Sequence, residues 1–323
     1  MDEELILQTI VRYSFPNISE VENIRWINLV NLILNNFLSY TAIMLNVVAV
    51  HAIRKTSSLP NTLKTLLLNL AVTDVGVGLI FQPVYTLLLV KWFQQNSEDC
   101  NFRYAFVMIS STFYLASFLG VVAVSVDRFL AIHVHLRYQE LVTHKCVVAV
   151  VISIWVLSIF IPFLMFSVPS DAYSLINGVT GVIGFILITI VYNRIYLSVR
   201  RHKNQIQVLQ VQQITQTGEV ADFASLVKSA VGTFYVCLVF LLCYIPYVVS
   251  VVATEMKGSS IVLKRFSLFL FTIAFLSSSL NPVIYCWKMR HIRHAVINIL
   301  RTMSWHRNRA SHETPALAGP TMP

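Results

Sequence analysis

Two charged features interrupt an otherwise apolar chain at places where they could do chemistry. Asp74 ends the run Leu68-Asn69-Leu70-Ala71-Val72-Thr73-Asp74, and no other acid or base lies between Lys64 and Lys91. A solitary carboxylate among hydroxyls and amides can hold a cation or ordered water, whereas acid–base catalysis needs a second titratable group beside it. Asp127-Arg128-Phe129 closes a stretch, Tyr104 to Val126, that has no charged side chain. The Arg128 guanidinium never loses its charge, so it stays paired, with Asp127 as the nearest acid, or is presented to another molecule. Steps of three and four back from Arg128 reach Val124, Val121, Ser117, Tyr114 and Ser110, a sparse polar stripe along one helical face.

The composition says what kind of element positions these groups. With 56% hydrophobic and 12% charged residues and a mean hydropathy of +0.68, polar surface is too scarce to cover a soluble globule of this size. The expected fold class is an all-α membrane protein, a seven-transmembrane helix bundle. Its apolar segments are residues 27–53, 62–90, 102–133, 145–168, 173–199, 227–254 and 263–287. As a helix, Tyr104 to Val126 alone rises about 33 Å, enough to cross a bilayer core. Its hydroxyls must then face protein, because lipid satisfies none of them.

Charge sets the orientation. With the amino terminus outside, only Arg12, Arg25, Lys91, Arg103, Lys257, Lys264 and Arg265 of the 24 Lys and Arg fall outside, and the rest lie inside. The net charge of +9 is therefore a topology signal; attraction to anionic inner-leaflet lipid accounts for it without nucleic acid. Met1-Asp2-Glu3-Glu4 lacks a basic signal-peptide start, so the first apolar segment is expected to do the targeting.

The chain divides into an outer tail 1–26, a membrane domain 27–288, an amphipathic cytoplasmic helix 289–303 lying on the inner leaflet, and a polar, disordered tail 304–323. Asn17-Ile18-Ser19 makes Asn17 the expected glycosylation site. Asn46 is the deepest amide of an Asn-rich first helix and needs a partner helix. Gln82-Pro83 predicts a kink. The fifth helix is expected to continue past the membrane and to break near Gly218.

Jointly, Asn46, Leu70 to Asp74, Asp127-Arg128-Phe129, Trp155, Tyr192, Cys243-Tyr244-Ile245-Pro246 and Asn281-Pro282-Val283-Ile284-Tyr285 resemble a rhodopsin-like (class A) G-protein-coupled receptor, across all seven segments. The resemblance implies a plasma-membrane receptor in which an outer ligand shifts a population toward an arrangement open to a heterotrimeric G protein. It assigns the switch to Asp127, Arg128, Tyr192, Tyr244, Pro246, Asn281, Pro282 and Tyr285. It assigns the ligand pocket to Ser110, Tyr114, Tyr244, Tyr247, Val251, Phe271 and Phe275, with Gln82 and Tyr85 near the rim. Asp74, Ser117, Ser277 and Asn281 form an oxygen-rich set suited to a sodium ion.

Departures from the family pattern narrow the branch. Cys100 is the only outer cysteine, Pro169 to Ala172 is a minimal outer turn, and Gly184 stands where the fifth helix usually has proline. These features resemble the melanocortin, cannabinoid, adenosine and lysophospholipid receptors, and no single member fits. Cys100, lacking an outer partner, is expected to be a free thiol. Leu226, with Lys228 close by, occupies the place of an acid that restrains Arg128 in many relatives, which predicts basal signalling with Asp222 and Glu219 as substitutes. Ser110 stands where amine receptors carry an Asp, Phe275 where opsins carry the retinal Lys, and Val251 where adenosine receptors carry an Asn. The uncharged pocket predicts a lipid-like small molecule, with a peptide met by Glu20, Glu22, Glu98, Asp99 and Asp171 as the alternative.

Other classes fit worse. A transporter would show related halves, a photoreceptor a lysine inside the bundle, and an intramembrane protease a second deep acid or a His-assisted nucleophile. His51, His133, His135 and His144 sit near the inner face instead. No enzyme activity is expected, and a non-signalling receptor-like scaffold is the remaining rival.

Overall fold

The computed structural model describes residues 25–94, 100–134, 137–165, 170–211, 217–257 and 261–312. Helix α1 is Arg25–Lys55, and α2 runs as Asn61–Gly76, a π-helical turn Val77–Phe81 and Gln82–Phe93. α3 is Cys100–His133, followed by the single turn Tyr138–Leu141. α4 is His144–Met165, α5 Ser170–Val211, α6 Thr217–Lys257, α7 Ile261–Lys288 and α8 Arg290–His312. Among the described residues, 7 helices are long and apolar enough to cross a membrane, and they coincide with the expected segments. In hydrocarbon only a helix pairs every backbone group within its own segment, which is why apolar length translates so directly into helix.

Proline lies inside four of these helices. The distortion expected at Pro83 is the π-helical turn just before it. Pro83 has no N–H for the Leu79 carbonyl and its ring crowds that oxygen, and a wider turn relieves both. Pro162, Pro246 and Pro282 lie inside α4, α6 and α7.

Burial separates central from peripheral helices. In α7 and α2, 67% and 56% of the most apolar window is buried, against 22% in α1, α4 and α5. The two central helices carry Asn281 and Asp74. On α4, Ile152, Val156, Phe160 and Phe163 are exposed and make its lipid face.

Where lipid is as apolar as the side chains, helices are joined by close packing and by hydrogen bonds between them. Asn46 Nδ2 donates to the Ser278 carbonyl on α7 at 2.9 Å, which supplies its expected partner. Trp155 Nε1 donates to Asn69 Oδ1 at 2.9 Å, tying α4 to α2. Asn35 Nδ2 donates to the Gln82 carbonyl at 2.9 Å and to Thr86 Oγ1 at 2.7 Å, tying α1 to α2. Between α3 and α5, the Phe118 ring lies so close over Gly184 that a Cβ there would collide with it.

Two ends differ from expectation. Gly218 lies inside the first turn of α6, and residues 212–216, where α5 gives way to α6, are outside the described ones. α8 reaches His312 rather than Met303 and begins after Met289. Ile292 is fully buried, and α8 packs on α1 and α7. The apolar repeat marked where this helix rests on the bundle, not where its backbone stops being helical.

Candidate functional site

At the inner end of α3, Arg128 is buried, and its Nε donates to Asp127 Oδ2 at 2.9 Å. Its Nη2 bonds the same oxygen. The other carboxylate oxygen accepts from the Tyr138 hydroxyl, which lies 2.9 Å from Thr62 Oγ1 on α2. α2, the short turn and α3 are thereby joined through one carboxylate. Burial, with the Asp127 charge beside it, pushes the Tyr138 phenol up to about 12. Tyr138 was not singled out in the sequence; a large side chain able to be buried within a polar connector was its only signal.

Arg128 Nη1 also reaches α6, donating to Ser229 Oγ at 3.4 Å. Leu226 is half-buried and Lys228 exposed. The side chains of Glu219 and Asp222 lie outside the described ones. Deeper in, the hydroxyls of Tyr192 and Ser125 each stand 3.1 Å from Cys237 Sγ, linking α5, α3 and α6. Tyr285 is fully buried on α7 and its hydroxyl has no hydrogen-bond partner among the described residues.

Midway through the bundle, Asp74 Oδ2 accepts from Asn281 Nδ2 at 2.8 Å. Ser278, absent from the expected set, is buried next to Ser277 on α7. Ser277 donates to the Ala274 carbonyl at 2.7 Å, Ser117 is buried on α3, and Asn281 Oδ1 is buried without a partner among the described residues.

Toward the outer side, aromatic rings fill the space between α2, α3 and α7. Phe81 meets Phe275 at 4.8 Å between centroids, Tyr85 meets Phe271 at 5.6 Å, and Phe106 packs among them. Gln82 and Tyr85, expected near the rim, are instead fully buried. Gln82 pairs with Asn35, and Tyr85 donates to the Leu268 carbonyl at 3.1 Å. Both serve helix packing, because a buried polar group takes the nearest available partner.

Phe275 belongs to the same packed layer, whereas Tyr114, Tyr244, Tyr247 and Phe271 are half-buried. Their rings meet in two pairs, Tyr114 with Tyr244 at 5.4 Å and Tyr247 with Phe271 at 4.5 Å. Ser110 turns its hydroxyl onto the Val107 carbonyl at 2.9 Å. Asn17 and the side chains of Val251 and Cys100 lie outside the described ones.

A family model described as the seven-transmembrane receptor, rhodopsin family, matches residues 45–174 and 168–285. The chain belongs to that family. This receptor is 25% identical to the human histamine H2 receptor over 293 residues, which is 83% of this chain and 78% of that one. It is 34% identical to the bovine adenosine receptor A2b over 122 residues, 37% of this chain and 36% of that one. A chicken adenosine receptor A2b is 32% identical over 130 residues, 40% and 37% of the two chains. The receptor is a multi-pass membrane protein that binds a ligand and signals through G proteins, and it is not an enzyme.

Proposed function

We propose that this receptor sits in the plasma membrane with its amino terminus outside and recognises an uncharged or amphiphilic, lipid-like small molecule. Agonist binding moves the inner end of α6 away from α3 and α7, which opens the crevice for the heterotrimeric G protein. The observation that carries the ligand class is Ser110, a neutral side chain whose hydroxyl is turned onto Val107. Tyr114, Tyr244, Tyr247 and Phe271 beside it are neutral too. An ammonium group leaving water would find no carboxylate among the described pocket side chains, at a cost of several kcal/mol. Histamine, named in one set of relatives, is such a cation; adenosine, named in the other, is neutral, and the pocket chemistry favours a neutral ligand.

Amine, lipid and peptide libraries screened on receptor-expressing cells with a G-protein readout test this. A lipid agonist whose potency falls in Tyr114→Leu is the expected result. A potent amine agonist whose response survives Asp171→Asn and Glu98→Gln but fails in Ser110→Val would overturn it.

We also propose that Asp74, Ser117, Ser277 and Asn281 hold a sodium ion. Two observations fit. Asn281 Oδ1, on the residue that bonds Asp74, is a buried oxygen without a partner among the described residues. Ser277 gives its proton to Ala274 and keeps oxygen lone pairs to offer. An all-oxygen donor set suits a hard cation, and the ion would supply the positive charge that a carboxylate at this depth otherwise lacks. Agonist affinity is expected to fall when sodium replaces choline in wild type and to be flat in Asp74→Asn. Equal sodium sensitivity in both, or none in wild type, rules the ion out.

A further inference from the structure

The inner ends of α6 and α7 meet through a contact that none of the switch motifs includes. Lys288, the last residue of α7, places its Nζ 4.0 Å from the centroid of the Tyr235 ring on α6 and 3.6 Å from that of Trp287. The two rings stand 5.4 Å apart, inclined at 56°, so a single ammonium faces both. Tyr235 and Lys288 are half-buried; a cation held over ring faces away from bulk water attracts them more strongly than one in water.

One turn before Tyr235, Gly232 brings the α6 backbone against the elbow between α7 and α8. A Cβ on Gly232 would meet Met289 Cε at 3.1 Å and Lys288 Cβ at 3.5 Å. Absence of a side chain at Gly232 therefore gives the Lys288 stem and buried Met289 their place. Backbone approach and cation act at the same spot, and α6 cannot leave α7 without breaking both.

The restraint on the α3 side of α6 is weak by comparison. Leu226 offers Arg128 no charge, and the contact to Ser229 at 3.4 Å is a long hydrogen bond to a neutral hydroxyl. We propose that Lys288 is a positioning residue which, through Tyr235, holds α6 against α7 and α8 in the resting receptor, supplying the restraint that an acid at position 226 would otherwise provide. The proposal rests on the reading that α6 moves away from α7 when the crevice opens.

The chemistry separates this role from simple packing. A cation–π contact needs a positive charge and a ring face, so Lys288→Arg and Tyr235→Phe preserve it. Lys288→Met keeps an unbranched stem against Gly232 but loses the charge, and Tyr235→Leu loses the ring.

The experiment is basal G-protein activation in cells expressing the full chain, normalised to surface receptor and read with biosensors for each Gα class. Lys288→Met and Tyr235→Leu are expected to raise basal activity about threefold to tenfold. Lys288→Arg and Tyr235→Phe should stay at the wild-type level, and the Lys288→Met/Tyr235→Leu double variant should be no more active than the stronger single one. Wild-type basal activity in Lys288→Met, or an equal rise in Lys288→Arg, overturns the proposal.

A second readout needs no G protein. Spin labels on Lys145→Cys in α4 and Lys228→Cys in α6, in a background with Cys100, Cys146 and half-buried Cys286 replaced by Ser, report the separation of those inner ends in purified receptor. Lys288→Met is expected to populate a longer distance without agonist. An unchanged distribution in Lys288→Met, with wild type lengthening on agonist, defeats the latch and leaves the crevice reading standing. No lengthening in wild type under agonist defeats the crevice reading itself.

Discussion

Arg128 of α3 meets α6 through a neutral hydroxyl, Ser229 Oγ at 3.4 Å, while both of its bonds to an acid go to the adjacent Asp127. The ion pair lies within α3 and does not restrain α6. Without an ion pair from Arg128 to α6, the two helices are held there by a long hydrogen bond to a neutral hydroxyl and, deeper in, by the contact of Ser125 with Cys237, which leaves a measurable active population. Wild type is therefore expected to signal above mock-transfected cells at verified surface expression. Leu226→Glu, which puts a carboxylate on α6 toward Arg128, is expected to lower that signal several-fold. Equal basal activity in the two would show that Arg128 does not gate α6.

Tyr138 donates to Asp127 and lies beside Thr62, so Tyr138→Phe removes a charge-assisted hydrogen bond worth about 1.5–3 kcal/mol before solvent screening. The phenol is raised from 10.0 to about 12, so the protonated, donating form is the one the folded state favours. The stabilisation is thus fully present below pH 10 and is lost only as pH rises toward 12. Tyr138→Phe is expected to raise basal signalling and lower thermal stability, and this contact should add no pH dependence between about pH 6 and 9. A melting temperature unchanged from wild type would show that the hydroxyl contributes nothing.

Asn46 bridges α1 and α7 by donating to the Ser278 carbonyl and also bonds its own helix at Ala42. Hydrogen bonds between membrane helices average about 0.6 kcal/mol and reach about 2 kcal/mol. Asn46→Leu is expected to lower the melting temperature of purified receptor by a few degrees, and Asn46→Asp by more, because it loses the donor and buries an acid. The reverse order would mean that side-chain volume, not the donor, matters at this position.

Gly184 lies under the Phe118 ring with no room for a Cβ. Gly184→Ala should therefore reduce surface expression, and Phe118→Leu in the same chain should restore part of it by vacating the space. If the double variant expresses no better than Gly184→Ala, the close approach of α3 and α5 is not what the glycine serves.

Sequence patterns located the charged and polar switch residues because each stands out against an apolar background. Asp127 with Arg128 and Asp74 with Asn281 come together, and Asn46 finds in α7 a partner helix whose identity the sequence left open. Tyr138, Ser229 and Cys237 did not stand out, since a tyrosine in a connector or a serine and cysteine in an apolar helix have bland readings that fit equally well. Gln82 and Tyr85 were expected near the rim because their depth was legible but the direction each faces was not; they face α1 and α7.

The bilayer acts on the chain one segment at a time, requiring about 20 apolar residues per crossing and a bias of Lys and Arg toward one side. Those are linear constraints, so the seven spans, their order and the places where polar groups interrupt them were already determined by the sequence. Helix rotation and tilt follow from how side chains of different helices interlock, which no single segment encodes. Only the tertiary structure, accordingly, decided that Arg128 finds Ser229, that aromatic rings close the space between α2, α3 and α7, and that Lys288 lies over Tyr235.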